Sequence, residues 1–347
     1  MKDLPIELVG AVVESVTSTS DLLSLRSVNA TCHRLVTPHA FRKINIHNSI
    51  QSAQDCQSIL ASPSLATHVR EVIYDPRDHA QFCLLPVGAH DACDELEIAD
   101  LEVVLTETFC ALSGFTNLES VTLNFWPSFR SQDGTEVQEH PFWFTNRQIA
   151  VLHAMHYAIK SSSVRSLTLN NVVLISSACY DFVSSVTDSP LHHFSMSVVA
   201  NSELGAWSGS KALNGPLSSL LPLSNANLKS LNIVFDHTPS ADGIEEFIVR
   251  HKASLRRLEL HACSSYVPSI STPIRRWSTI WKRFEEELES LRKIVMGNVH
   301  QGYALLDGAS GYIPHLPLPA LAGEDEKDYL QFSNHVNLRS ALARTCL

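Results

Sequence analysis

The feature that most constrains the fold is a six-residue pattern, apolar-x-x-apolar-x-apolar, that occurs seven times after residue 68. Its apolar positions are Val69, Val72 and Tyr74; Leu118, Val121 and Leu123; Val164, Leu167 and Leu169; Leu191, Phe194 and Met196; Leu228, Leu231 and Ile233; Leu255, Leu258 and Leu260; and Leu291, Ile294 and Met296. The starts differ by 49, 46, 27, 37, 27 and 36 residues, so the unit repeats while its connections vary. Between copies lie stretches with helical periodicity at 99–112, 147–160, 176–187, 242–253 and 277–290. Strand then helix, repeated, predicts parallel strands joined by crossovers and hence the α/β class.

The positions between the apolar ones are polar. They read Ser120, Thr122 and Asn124 in the second copy, Ser166, Thr168 and Asn170 in the third, Ser195 and Ser197 in the fourth, Ser230 and Asn232 in the fifth, and Arg257, Glu259 and His261 in the sixth. A doubly wound sheet buries both faces and needs strands that are apolar at nearly every position. These strands alternate, so one face is expected to be wet. Stacked repeats turn such a face into an extended surface, which makes Thr122, Asn124, Thr168, Asn170, Ser195, Asn232, Glu259 and His261 the candidate face for holding a target protein. The plainer alternative is that these small polar groups only solvate the sheet.

The pattern resembles the degenerate leucine-rich repeat. That resemblance implies an αβ solenoid, a horseshoe over 48–320, with the first and second apolar positions of each strand pointing inward. The family's Asn or Cys ladder is mostly missing, although Asn124 and Asn170 directly follow their strands. Three long segments, 75–98, 125–146 and 298–322, interrupt the repeats. The second carries Phe125, Trp126, Phe129, Phe142, Trp143 and Phe144, too much aromatic area to leave in water, so it either folds back or anchors a partner. After Pro319 the tail 321–347 has acidic residues from Glu324 to Asp328 at a helix start, then Tyr329, Phe332 and Val336 at helical spacing, and is expected to cap the last repeat.

The first 47 residues read differently. Leu4, Leu8, Val12 and Val16 recur every four residues with Pro5 in the first turn, predicting a helix over 5–16. Ser20 or Asp21 caps a second helix bearing Leu22, Leu23, Leu25 and Val28. Asn29 or Thr31 opens a third with Cys32, Leu35 and Val36 on one face, and Pro38 is expected to end it. So few residues cannot bury all of this apolar surface internally, and a segment of about 40 residues needs outside help to be stable.

Leu4, Pro5, Glu7 and Leu8, the valines at 12 and 13, Asp21 through Leu23, Leu25, Arg26, Val28 and Asn29, then Leu35 and Phe41 together resemble the F-box. The absence of a tryptophan from the third helix resembles the fungal form of that motif. The resemblance implies a three-helix module that docks on the Skp adaptor, and through it on a cullin, in a ubiquitin ligase. Leu4, Pro5, Glu7, Leu8, Leu22, Leu23 and Leu25 would then line the adaptor interface, while Val12, Val16, Val28 and Leu35 would look inward. The plainer alternative is a generic helical cap that seals one end of the following domain.

Composition excludes other classes. Among 347 residues, 26 Lys and Arg stand against 36 Asp and Glu, and no basic run exceeds the Arg256-Arg257 or Arg275-Arg276 pair, which argues against nucleic acid as a partner. No stretch approaches the roughly 20 apolar residues of a spanning helix, and Asp3, Pro5 and Glu7 interrupt any leader-like run, so neither membrane nor secretion is expected. The eight cysteines, at 32, 56, 83, 93, 110, 179, 263 and 346, form no CxxC pair and read as buried free thiols of a cytoplasmic or nuclear protein, as in the stretch Thr108 to Leu112.

Motifs for chemistry are absent. His153 and His156 lack an intervening glutamate and a third ligand, and the neighbours His192 and His193 point to opposite faces of a strand. Ser208 and Lys211 match Ser-x-x-Lys without its companion motifs, and no phosphate-cradling glycine loop occurs. The sequence therefore implies no catalytic residue, metal or cofactor. The F-box resemblance implies a substrate receptor, and the alternative is a repeat-type interaction scaffold.

Overall fold

The computed structural model describes residues 5–75, 94–125, 148, 150–155, 158, 163–172, 191–199, 228–236, 244–261, 264–267, 276–297, 302–307, 311–316 and 319–345. The chain opens with three helices, α1 (Ile6–Ser15), α2 (Thr19–Arg26) and α3 (Ala30–Ala40). The side chain of Ser18 accepts the Asp21 amide and starts α2, and Asn29 accepts the Cys32 amide and starts α3, because both oxygens satisfy an amide that the first turn leaves without a partner. Pro38 does not end α3, as its position suggests; the helix runs on to Ala40. Val36 and Ala40, one turn apart on either side of it, are both buried in the same small core and hold the last turn in place.

That core consists of Val13, Leu22, Val36 and Ala40, with Val16, Leu25 and Phe41 packed at its rim, and it is separate from the main one. The Arg26 guanidinium sits 5.3 Å over the Phe41 ring and donates to Thr37 Oγ1 at 2.9 Å, tying α2 to α3.

All seven expected strands form, and an eighth precedes them. β1 (Lys43–Ile46), β2 (Glu71–Tyr74), β3 (Ser120–Asn124), β4 (Ser166–Val172), β5 (His193–Val199), β6 (Ser230–Asp236), β7 (Arg257–His261) and β9 (Lys293–Gly297) make one open sheet in chain order, every neighbouring pair parallel. β1 falls within the 1–47 segment assigned to the helical module, yet Ile44 and Ile46 belong to the main core, so the sheet begins at Lys43.

The register aligns like with like. Val72, Val121, Leu167, Phe194, Leu231, Leu258 and Ile294 are successive partners, and all but the last are buried. Helices α4 (Ile50–Leu60) and α5 (Pro63–Ala66) join β1 to β2, and α6 (Asp94–Ala111) precedes β3. Leu101, Leu105 and Phe109 of α6 share one core with the inward strand positions, as do Val151, Leu152 and Met155 of a helical stretch before β4. Tyr74 meets Phe109 edge-on at 5.5 Å and Phe125 at 6.2 Å, so the first ring of the aromatic segment after β3 folds into the core. The rest of that segment, and the helix expected over 176–187, lie outside the described residues.

A backbone ladder sets the strand entrances. The Arg42 carbonyl accepts both the Arg70 and the Glu71 amide, at 2.8 and 3.0 Å. The same pair of bonds at the same two distances recurs on the carbonyls of Arg70, Glu119, Arg165, His192, Lys229 and Arg256.

The far end carries more regular structure than its sequence suggests. α7 (Ile244–Arg250) precedes β7, and α8 (Trp277–Glu287) precedes β9. The segment 298–322, which reads as an irregular insertion, contains β10 (Gly302–Asp307) and β11 (Gly311–Leu316), which join β8 (Ser264–Val267) in a three-stranded sheet. Its glycines and Pro314 masked the strands in sequence. The last helix, α9 (Pro319–Thr345), begins two residues before the tail boundary at 321 and packs on α8 and β9. Trp281 stacks between Trp277 at 5.0 Å and Phe332 of α9 at 6.1 Å.

Candidate functional site

Two surfaces carry the sequence-derived candidates. On the helical module, Ile6, Leu8, Val12, Leu23 and Val28 are exposed, five of the nine exposed large apolar side chains among the described residues. Leu8 and Val12 stand one turn apart on α1, with Glu7 and Pro5 also exposed beside them. Leu25 is half-buried against the small core. Leu4 lies outside the described residues.

Three expected orientations are reversed. Leu22, expected to face a partner, is 6 % exposed and belongs to the small core, whereas Val12 and Val28, expected inside, are each 55 % exposed. The physical reason is helix phase. Leu22 and Leu23 are neighbours about 100° apart on α2, so only one can face α3, and the short Ser18 cap puts Leu22 there.

The second surface is the outward sheet face. Thr122, Thr168, Ser195, Asn232 and Glu259 are direct register partners across five strands and form one continuous row. The Asn232 amide donates to Ser195 Oγ at 3.1 Å, and Glu259 pairs with Arg257. Asn124 and Asn170 form a shorter row, Asn170 donating to Asn124 Oδ1 at 2.8 Å. Beyond Asn170 the register shifts at Asn171, whose φ of 59° is left-handed and whose amide groups bond Ser197 Oγ and the Phe125 carbonyl. His261 sits across that break, in register with Val234 of β6.

Sequence reasoning missed a third feature. The second residue of every repeat is ionisable: Arg70, Glu119, Arg165, His192, Lys229, Arg256 and Arg292. No contiguous basic run betrays it, because the carbonyl ladder brings residues 27 to 49 positions apart into a single file. Reading the repeats as an aligned stack, one position at a time, would have exposed it.

Burial pushes the Cys56 thiol up to about 12, well outside the range of a nucleophile. Cys32 is buried as expected, but Cys110 is exposed although Thr108 and Phe109 beside it are buried, since three successive helical positions cannot all face the core. Among the described residues no three His, Cys, Asp or Glu side chains come together as a metal site, and no helix is long and apolar enough to cross a membrane. His156 and the Ser208 to Lys211 segment lie outside the described residues. No protein-family model matches the chain, and no curated protein matches it.

Proposed function

We propose that this chain is a non-catalytic substrate receptor of a Skp–cullin–F-box ubiquitin ligase, working in the cytoplasm or nucleus. In this reading the N-terminal helices are an F-box docked on the Skp adaptor, and the sheet belongs to a leucine-rich-repeat horseshoe that presents a target protein. The ligase then acts by proximity, raising the local concentration of target lysines at a partner enzyme. The observation that supports it most is the exposed apolar surface of a module whose own core has only four fully buried side chains, since such a surface normally has a cover. The spacing of Leu4, Pro5, Glu7, Leu8, Leu22, Leu23 and Leu25 agrees with it.

Co-expression with a Skp adaptor and size-exclusion chromatography tests the reading. A 1:1 complex is expected for the wild type and none for Leu4→Ala/Pro5→Ala/Leu8→Ala. A wild type that elutes alone as a folded monomer refutes it. A repeat-type scaffold without ligase role is the second reading, favoured by Leu330, Leu338 and Leu342 of α9, which are 53 to 66 % exposed and show that open apolar surface is not confined to the module.

A further inference from the structure

Each repeat starts with an inward apolar residue and follows it with the ionisable residue whose carbonyl carries the ladder. From β4 to β9 that file holds Arg165, Lys229, Arg256 and Arg292 with His192 among them. The adjoining outward position adds Arg257 and Lys293, which are register partners. Neighbouring strands lie about 4.8 Å apart, so five strands place these six cations in two adjoining rows along roughly 19 Å; the His192 and His193 rings, at the same two positions, meet edge-on at 6.4 Å instead of parting to opposite faces as their adjacency suggests.

The backbone ladder does not require this. The ladder uses backbone groups alone, which any exposed residue could supply, and like charges in file repel one another. Arg256 donates to the Ser290 carbonyl at 3.4 Å and Arg292 to the Glu289 and Leu291 carbonyls at 2.8 and 3.2 Å, but Arg165, Lys229 and Lys293 make no such bond among the described residues, so in a chain of net charge −10 their alignment with the other cations is a cost that the fold does not offset. Glu259 neutralises Arg257; among the described residues Arg165, Lys229, Arg256, Arg292 and Lys293 have no carboxylate partner. His192 reports the local field: its pKa is held below the ordinary value by desolvation first and then by Lys229 and Arg165.

We propose that this file of cations is a docking line for an extended, carboxylate-rich polypeptide segment. A strand-like chain rises about 3.3 Å per residue, so about six residues span the line, and alternating Asp and Glu side chains can meet it along its whole length. A single-stranded nucleic acid fits less well. No Phe, Tyr or Trp occupies an outward position of the eight-stranded sheet, so bases have nothing to stack on. The proposal rests on the receptor reading only in calling that segment a target; binding itself is independent of any adaptor.

The test is fluorescence anisotropy of a fluorescein-labelled decaglutamate peptide titrated with the full chain. Saturable 1:1 binding is expected, weakening severalfold between about 0.05 and 0.2 M salt. Lys229→Glu/Arg256→Glu/Arg292→Glu is expected to lose at least about tenfold in affinity, while Lys327→Glu/Arg344→Glu, at exposed positions of α9, stays at wild type. Lys229→Gln/Arg256→Gln/Arg292→Gln removes charge without adding repulsion and is expected to lose at least about threefold with an unchanged circular dichroism spectrum. The proposal fails if wild type shows no saturable binding, if the Gln variant binds as wild type does, if the α9 variant loses as much as the file variants, or if labelled decathymidylate binds more tightly than decaglutamate. Adaptor capture is read separately, so either reading can fall without the other.

Discussion

Asp325 Oδ1 accepts a hydrogen bond from the Ser278 backbone amide at 2.7 Å, inside the protein and across 47 residues of chain. Arg276, at the position that would normally cap α8, makes no capping side-chain bond and instead donates to Glu324 at 3.1 Å, so α9 supplies the cap that α8 lacks. A negative charge there also complements the positive end of the helix. Asp325→Ala is expected to lower stability by about 1–3 kcal/mol in urea unfolding, because it leaves a buried amide without its partner. Asp325→Asn, which keeps an acceptor, is expected to cost less. Equal losses would mean that the charge matters more than the bond.

The adjacent pair Leu22 and Leu23 separates folding from docking. Leu22→Ala empties part of a four-residue core and is expected to cost about 2–4 kcal/mol. Leu23 is 44 % exposed, and Leu23→Glu is expected to change stability by no more than about 0.5 kcal/mol while abolishing capture by a Skp adaptor. Thermal unfolding beside a pull-down checks both. Full capture by Leu23→Glu would place the adaptor contact elsewhere.

Alkylation should distinguish the thiols. Iodoacetamide at pH 8 followed by peptide mapping is expected to modify Cys110 and to spare Cys32 and Cys56 in the folded chain. The Cys56 thiol has a linked effect on stability. Its ordinary pKa of 9.0 is raised to about 12 by burial, so the folded state favours the neutral thiol. That contribution is complete below pH 9 and is expected to fall as pH rises from there toward 12, where unfolded chains ionise first.

His192 gives a pH-dependent readout of the basic file. Its pKa lies below 6.5, because desolvation and then the charges of Lys229, Arg165 and His193 disfavour the imidazolium. The group therefore contributes stability above that ordinary value, which is lost as pH falls below it. An NMR titration is expected to give a midpoint under 6.5 that rises in Lys229→Gln. A midpoint that does not move would assign the depression to burial alone.

Much of the sheet was legible in the sequence because its inward positions obey a strict rule. Val121, Leu167, Leu231 and Leu258 sit where the six-residue pattern puts them, since one wet face forces a period of two. The row from Thr122 to Glu259 followed from the same alternation. What stayed hidden has physical reasons. β1 is only four residues long, and although Phe41, Ile44 and Ile46 fit the six-residue pattern, Phe41 packs on the helical core rather than the main one. β10 pairs with β8 over a distance that no local periodicity reports, and β11 pairs only with β10. The facing of Leu22, Val12 and Val28 depended on helix phase, which apolar composition alone leaves open.

The paired bonds at each strand entrance have a consequence for how this chain tolerates change. Each of the strands β2 to β7 and β9 takes its height from the single carbonyl before it, at 2.8 and 3.0 Å in all seven junctions, regardless of whether 27 or 49 residues were spent in between. Alignment is thus copied from neighbour to neighbour, and the length of a connection carries no positional information. Loops in this protein are free to lengthen, shorten or diverge without moving any residue of the wet face, whereas one residue gained or lost between an entrance and its strand would invert that strand's two sides.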